Sequence, residues 1–358
     1  MDPDIERIEE GGFAFPLGLR PLAPLTPKSG YLQEFEPADG SEPFLTGPET
    51  ADWEEWPDRF MFDVLLPGPR VPALVRLALT LFPARVYPIL DVLGNDAYRE
   101  IDPYIAYDLV GLDKFVEGIR DFGPWLFEDG LCGFGALSIE PFVYLFVDEH
   151  KLVTLRVQLD LKEKVERLLT AFELTIQEQL QSIDSVEHEH RTVLRSPPDD
   201  PRLLNGQDIL DRLRSLWLLQ LNIAGDTNLD DDGRELGTTG WECLVRCLPV
   251  DGSGDRFAHV ILTADCLDEA EVLAAEAVQS GAPEGGWGEV DPYSCNRILP
   301  NELEELAERP SAELLTAEGV HSVKWLASPA PDERTNPADP QNPRNPRNPG
   351  NPHGDDTN

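Results

Sequence analysis

The chain has 358 residues, 41% of them hydrophobic and 8% aromatic, enough apolar material for one or two globular cores. Asp and Glu number 67 against 29 Lys and Arg, a formal net charge of −38. A surface of that sign repels phosphate backbones and anionic headgroups, which argues against nucleic acid or membrane as a direct partner.

In chain order, residues 1–10 are acidic and lack an apolar stretch, so no secretory signal is expected. The longest apolar runs, 71–82 and 141–147, fall short of a membrane span. Five cysteines, an odd number, fit free thiols in a reducing, cytoplasmic setting. Residues 1–57 are rich in Pro, Gly and Glu with single aromatics, and read as an extended acidic arm with Trp53 and Trp56 as anchors.

A first domain is expected over 58–180. "RFMFDVLL" places Phe60, Phe62, Val64 and Leu66 on one strand face. "VPALVRLALTLF" reads as a buried helix with Pro72 in its first turn. "ARVYPILDV" is a second strand, in which Pro88 favours an edge position. Asp113 caps a helix running through Phe122. "PFVYLFVDEHKLVTLRVQL" is a hairpin, two β-rich runs around the polar turn Asp148-Glu149-His150-Lys151. Asp160 and Glu163 have capping-box spacing ahead of the helix "LKEKVERLLTAFEL".

Residues 181–204 are polar, end in "SPPDDP", and read as a linker. A second domain, 205–328, is expected to hold a short helix and then the strands "LWLLQLNI", "WECLVRCL" and "FAHVILTA" in antiparallel pairing. The Ala-rich helix "LDEAEVLAAEAVQS" follows, then a Gly-rich loop with Trp287, the helix "PNELEELAE" and a last strand "VHSVKWLA". From 329 to 358 repeated Asn-Pro dipeptides with no large apolar residue predict a disordered tail. The expected class is α+β: two small mixed domains with mainly antiparallel sheets, an N-terminal arm and a C-terminal tail.

For chemistry, the acidic loop "GDTNLDDDGRELGTTG" offers Asp226, Asn228, Asp230 and Asp232 as oxygen donors before Gly233, with partial calcium-loop spacing. Thr239 at the twelfth position cannot supply the bidentate carboxylate, so a solvated hairpin loop is the competing reading. Cys243 and Cys247, four apart on a strand, are too distant to share a metal and read as packed thiols. "EHEH" alternates His188 and His190, which could chelate a metal. With no evident scaffold, that stretch reads as charged and solvated. His150 falls in the hairpin turn. "GLCGFGALS" lacks the strand-then-helix context of a dinucleotide loop, and its glycines read as a tight entry to the hairpin. Cys132 there has no neighbour in sequence to activate it.

No motif resembles a nameable family. The functional expectation is a non-catalytic protein-binding or regulatory protein whose partner is another protein. One alternative is an enzyme with a carboxylate site between domains, drawing on Asp102, Asp108, Glu128 and Asp129. The other is a divalent-cation binder, with Ca2+ at the 226–233 loop as its only cofactor.

Overall fold

The computed structural model describes residues 2–38, 56–195, 203–252 and 254–326. Trp53 and the expected tail at 329–358 lie outside the described residues. The fold is α+β with several mainly antiparallel sheets, and the chain divides into two compact units.

The first unit comprises Met1–Thr239, Asp265–Asp268 and Asn296–Leu299. It opens with an N-terminal ribbon of three short strands, β1 (Glu9–Glu10), β2 (Phe13–Ala14) and β3 (Leu19–Pro21). Then come β4 (Gly30–Glu36), β5 (Arg59–Leu65), helix α1 (Val71–Ala78), β6 (Arg85–Leu93), β7 (Ile101–Ala106) and β8 (Val110–Gly111). Helix α2 (Leu112–Glu128) leads into β9 (Cys132–Ile139), β10 (Phe142–Val147) and β11 (Val153–Gln158), followed by α3 (Lys162–Ala171), β12 (His188–His190), α4 (Gly206–Trp217) and β13 (Leu219–Leu221). The main sheet runs β13-β7-β6-β9-β10-β11-β5-β4, with β8 also on β6. Every register within it is antiparallel.

Strand alternation decides which face of this sheet is the core. Phe62 and Val64, Val143, Leu145 and Val147, and Val153, Leu155 and Val157 are all buried, while the residues between them are only partly covered or, for Leu65, belong to a separate small cluster. Against that face pack Leu74 and Val75 of α1, Phe115 and Ile119 of α2, Val165 and Leu169 of α3, and Leu213 and Trp217 of α4. The hairpin expected around residues 148–151 is present as β10 and β11, closing at Val147↔Val153.

Several local expectations change. Pro88 is not at an edge: it pairs with Ala136 on one side. On the other side it falls between the β8 pairing, which stops at Val86, and the β7 pairing, which starts at Ile89. A residue without an N–H therefore sits where no ladder bond is required. Asp160 does not cap α3; it accepts a hydrogen bond from Gln158 instead. The capping box lies at α4, where Asn205 and Asp208 bond each other's backbone N–H at 2.8 and 2.9 Å. "LWLLQLNI" is divided, its start finishing α4 and its middle forming β13, with Leu218 in a left-handed conformation between them. Helix α2 runs past the expected stop at Phe122, through Pro124, to Glu128.

The second unit comprises Gly240–Ala264, Glu269–Cys295 and Pro300–Asn358. It begins thirty-odd residues later than the expected boundary because α4 and β13 belong to the first sheet. Its strands, β14 (Thr239–Pro249), β15 (Arg256–Ala264), β16 (Trp287–Ile298) and β17 (Gly319–Trp325), are ordered β16-β14-β15-β17. Among the described residues its helices are α5 (Leu267–Ala277), α6 (Pro300–Ala307) and α7 (Ser311–Leu314). The expected Gly-rich loop is a turn at Gly285 and Gly286, and Trp287 opens β16, stacked on Trp325 at 5.5 Å. Among the described residues no helix is long and apolar enough to cross a membrane.

Candidate metal centre

His150, His188 and His190 meet in the first unit. Nε2 of His188 lies 3.0 Å from Nε2 of His150 and 2.9 Å from Nε2 of His190. The three ring centroids are 4.8–5.0 Å apart. The rings are partly covered, the His150 side chain retaining 14% exposure.

Local structure delivers each ring. In β12 the alternation of a strand puts His188 and His190 on one face and Glu189 on the other, where it pairs with Arg20 of β3 at 3.5 Å. The polar pattern "EHEH" is thus a short strand with both histidines on one face. His150 is placed by the tip of the β10–β11 hairpin. The side chain of Asp148 accepts from the backbone N–H of Leu152 at 2.7 Å, and Lys151 follows in a left-handed conformation, φ 63°. Lys151 is buried and its ammonium donates to the Cys132 carbonyl at 2.5 Å, drawing the hairpin tip down onto the start of β9.

A knot of backbone contacts fixes β12 relative to that tip. Gly18 N–H donates to the Glu128 carbonyl, Arg191 N–H to the Gly18 carbonyl, and Gly130 N–H to the Arg191 carbonyl, at 2.7, 2.8 and 3.1 Å. The backbones approach so closely that a Cβ on Gly18 would lie 2.1 Å from the Gly130 nitrogen, and one on Gly130 would lie 2.3 Å from the Gly18 oxygen. Beside the knot the buried Asp129 carboxylate accepts from the N–H of Leu131 and Val193 and the hydroxyl of Thr192. Burial pushes its pKa above the ordinary carboxylate range while those bonds pull the other way.

The outer nitrogens of the rings determine their protonation. Nδ1 of His188 lies 2.7 Å from the Val186 carbonyl, and Nδ1 of His190 lies 2.6 Å from the Gly130 carbonyl. Carbonyl oxygens only accept, so each Nδ1 carries a proton, and in the neutral ring the lone pair is then on Nε2. His150 Nδ1 faces the Glu149 carboxylate at 3.2 Å and Asp148 at 3.9 Å, an acceptor environment of the same kind. The Nε2 atoms of His150 and His190 both approach that of His188, and in the neutral rings each would present a lone pair there. A proton on Nε2 of His188 can serve one of its two close neighbours and leaves the other contact unsatisfied. A cation seated among the three satisfies all of them. Anchoring of the far ring nitrogen by carbonyl or carboxylate is the arrangement that orients metal-binding histidines.

Electrostatics favour a cation. Burial opposes protonation of His150, yet the surrounding Asp148, Glu149 and Asp184 outweigh it and raise the pKa. Burial lowers that of His190, against the pull of its bond to Gly130. Asp148, Glu149 and His150 form a second close group of ligand atoms beside the first. Asp91, half-buried and near Glu149, is pushed up to about 6 by partial burial first and by that carboxylate second.

The other residues singled out from sequence are not gathered in this way. Asn228 is buried, its amide nitrogen donating to the Gly237 carbonyl and the Thr239 hydroxyl and its oxygen accepting from Arg297. Asp230 accepts from the Arg234 N–H, Asp232 pairs with the Arg234 side chain, and Asp226 is exposed. Among the described residues, these loop donors form no close ligand group. Asp102 pairs with Arg99 at 2.7 Å, Glu128 binds Arg7 and the Leu17 N–H, and Asp108 is exposed. Burial pushes the Cys132 thiol up to about 12, so it carries no thiolate at neutral pH. Cys243 and Cys247 are both buried on β14.

No protein-family model matches the chain, and no curated protein or solved structure is significantly similar to it.

Proposed function

We propose that this chain is a metal-binding protein whose centre is His150, His188 and His190, and that it takes a divalent late first-row ion of the zinc class. The observation that carries this is the convergence of three Nε2 atoms within 3 Å of their nearest neighbour while the Nδ1 atoms are held by Val186, Gly130 and Glu149. Neutral imidazole suits zinc and its transition-metal neighbours better than calcium or magnesium, which prefer oxygen. Nitrogens at about 2.0–2.1 Å from a zinc ion need the rings to open by only a few tenths of an ångström from this arrangement. The flanking carboxylates add favourable charge. A metal held by strand β12 and the β10–β11 hairpin is consistent with a regulatory protein and requires no catalytic step.

Zinc titration of chelator-stripped protein, followed by native mass spectrometry, tests this. One zinc per chain is expected for the wild type and none, at the same free zinc, for His188→Ala/His190→Ala with unchanged far-ultraviolet circular dichroism. A wild type that retains no more zinc than the double variant refutes the reading.

A further inference from the structure

Resting on that metal reading, we infer that metal occupancy regulates the docking of the N-terminal ribbon, so that the centre is a clasp closed by zinc and opened by its loss. Two of the ligands lie on β12, which is the pairing partner of β3, with three registered pairs from His188↔Pro21 to His190↔Leu19. The third lies 38 residues earlier in sequence than His188, on a hairpin of the main sheet. A metal at the centre therefore cross-links the strand that carries the ribbon directly to the body of the first unit. Clips that close a long stretch of chain restrict the opened state most, since loop-closure entropy grows with length.

What lies under the clasp is small enough to be governed by it. The ribbon contributes Phe13, Phe15, Leu19 and Leu25 to a satellite cluster completed by Leu65 and Ile183, separate from the main core. His150 and Lys151 line a cavity of about 10 Å³ together with Phe13, Phe15, Leu65 and Ile183, room for about one water, so hairpin tip and ribbon share a wall. Polar ties add to it: Arg7 and the Leu17 N–H to Glu128 at 2.8 and 3.0 Å, Arg191 to the Leu17 carbonyl at 3.0 Å, the Leu22 N–H to the Glu187 carbonyl at 2.8 Å, and the backbone bonds of the glycine knot. Without a cation His188 Nε2 can share a proton with only one of its two close neighbours, and separation of β12 from the hairpin relieves the other contact. That is a two-state element that metal binding biases, as a ligand-gated conformational change requires.

Hydrogen-exchange mass spectrometry of the full chain, stripped of metal and then held at free zinc about 100 times its dissociation constant, is the test. A segment that opens only when zinc leaves should exchange about 100-fold more slowly under those conditions. Peptides within residues 8–27 and 186–193 should show that slowing, and peptides of β14 and β15 should not. In His150→Ala zinc should leave exchange at 8–27 unchanged. If that variant loses protection in β10 and β11, His150→Gln takes its place. One zinc bound per wild-type chain with unaltered exchange at 8–27 overturns the clasp and leaves the metal reading standing. Failure of the wild type to bind zinc removes both.

Discussion

Replacing Gly18 by alanine should disturb both stability and metal affinity, although Gly18 touches no histidine. The new Cβ would stand 2.1 Å from the Gly130 nitrogen, 2.6 Å from the Arg191 oxygen and 2.7 Å from the Glu128 oxygen, all backbone atoms with no rotamer to escape into. Restoring ordinary contact requires the segments to part by about 1 Å, which stretches the three bonds of 2.7, 2.8 and 3.1 Å past useful length. At about 1 kcal/mol each the loss is about 3 kcal/mol, offset by the 0.4–1 kcal/mol that alanine returns by restricting the unfolded chain, roughly 2–3 kcal/mol net. Because the Gly130 carbonyl anchors Nδ1 of His190, the same displacement should weaken zinc by about 10–100-fold, the usual cost of losing an outer-shell partner. Urea denaturation of metal-free protein and competition with a zinc chelator read the two effects separately. Gly206→Ala serves as the control, since nothing lies within 4 Å of its added carbon. A Gly18→Ala protein that matches Gly206→Ala in midpoint and keeps wild-type zinc affinity would show the close approach to be without consequence.

Asp96 and Arg297 form a buried pair at 2.8 Å, with side chains 0% and 4% exposed. Asp96→Ala removes the only carboxylate paired with the Arg297 guanidinium among the described residues, leaving it the neutral Asn228 and Leu229 oxygens, and should cost about 3–5 kcal/mol by thermal denaturation; an effect below 1 kcal/mol would contradict it. Asp91, whose pKa is about 6 in the folded protein against an ordinary 3.8, favours the protonated form on folding. Its penalty is therefore full above pH 6 and disappears as pH falls to about 4. Asp91→Asn should stabilise by up to about 3 kcal/mol at pH 7 and by nothing at pH 4, and equal effects at the two pH values would disprove the assignment. Calcium at millimolar concentration should leave the melting temperature unchanged, because the Asn228 oxygen already accepts from the buried Arg297; a rise of several degrees would show the loop to be a calcium site.

The legible parts of the fold are those whose signal is local. The alternation of Val143, Leu145 and Val147 against Val153, Leu155 and Val157, with a polar turn between, specifies a hairpin without outside help. The α+β class follows from many such runs. The second boundary was not legible, because α4 and β13 join the first sheet through partners more than a hundred residues earlier, Trp217 against Phe115 and Leu219 against Ala106. Capping was misplaced for a related reason: Asp160 has box spacing, yet Gln158 claims its carboxylate, whereas Asn205 and Asp208 are free to serve α4. Spacing proposes a bond, and competition among neighbours decides it.

The three-histidine cluster was only partly visible: His188 and His190 stood out by their alternation, but the stretch read as charged and solvated. Alternating histidines are a chelating pattern, and the question was whether anything would hold them. The answer lies in residues that look unrelated in sequence: Gly18 and Gly130, whose backbones must nearly touch, Gly130 again as acceptor for His190, and Lys151, whose buried ammonium seats the hairpin tip. A glycine conspicuous in "GLCGFGALS" and a histidine in a turn carried the missing signal, but only a contact map could join them to "EHEH". The acidity takes a different meaning in this light. Spread over the whole chain, it identifies no partner. At one place it gathers beside nitrogen donors, since Asp148, Glu149 and Asp184 surround His150, whose ring meets those of His188 and His190.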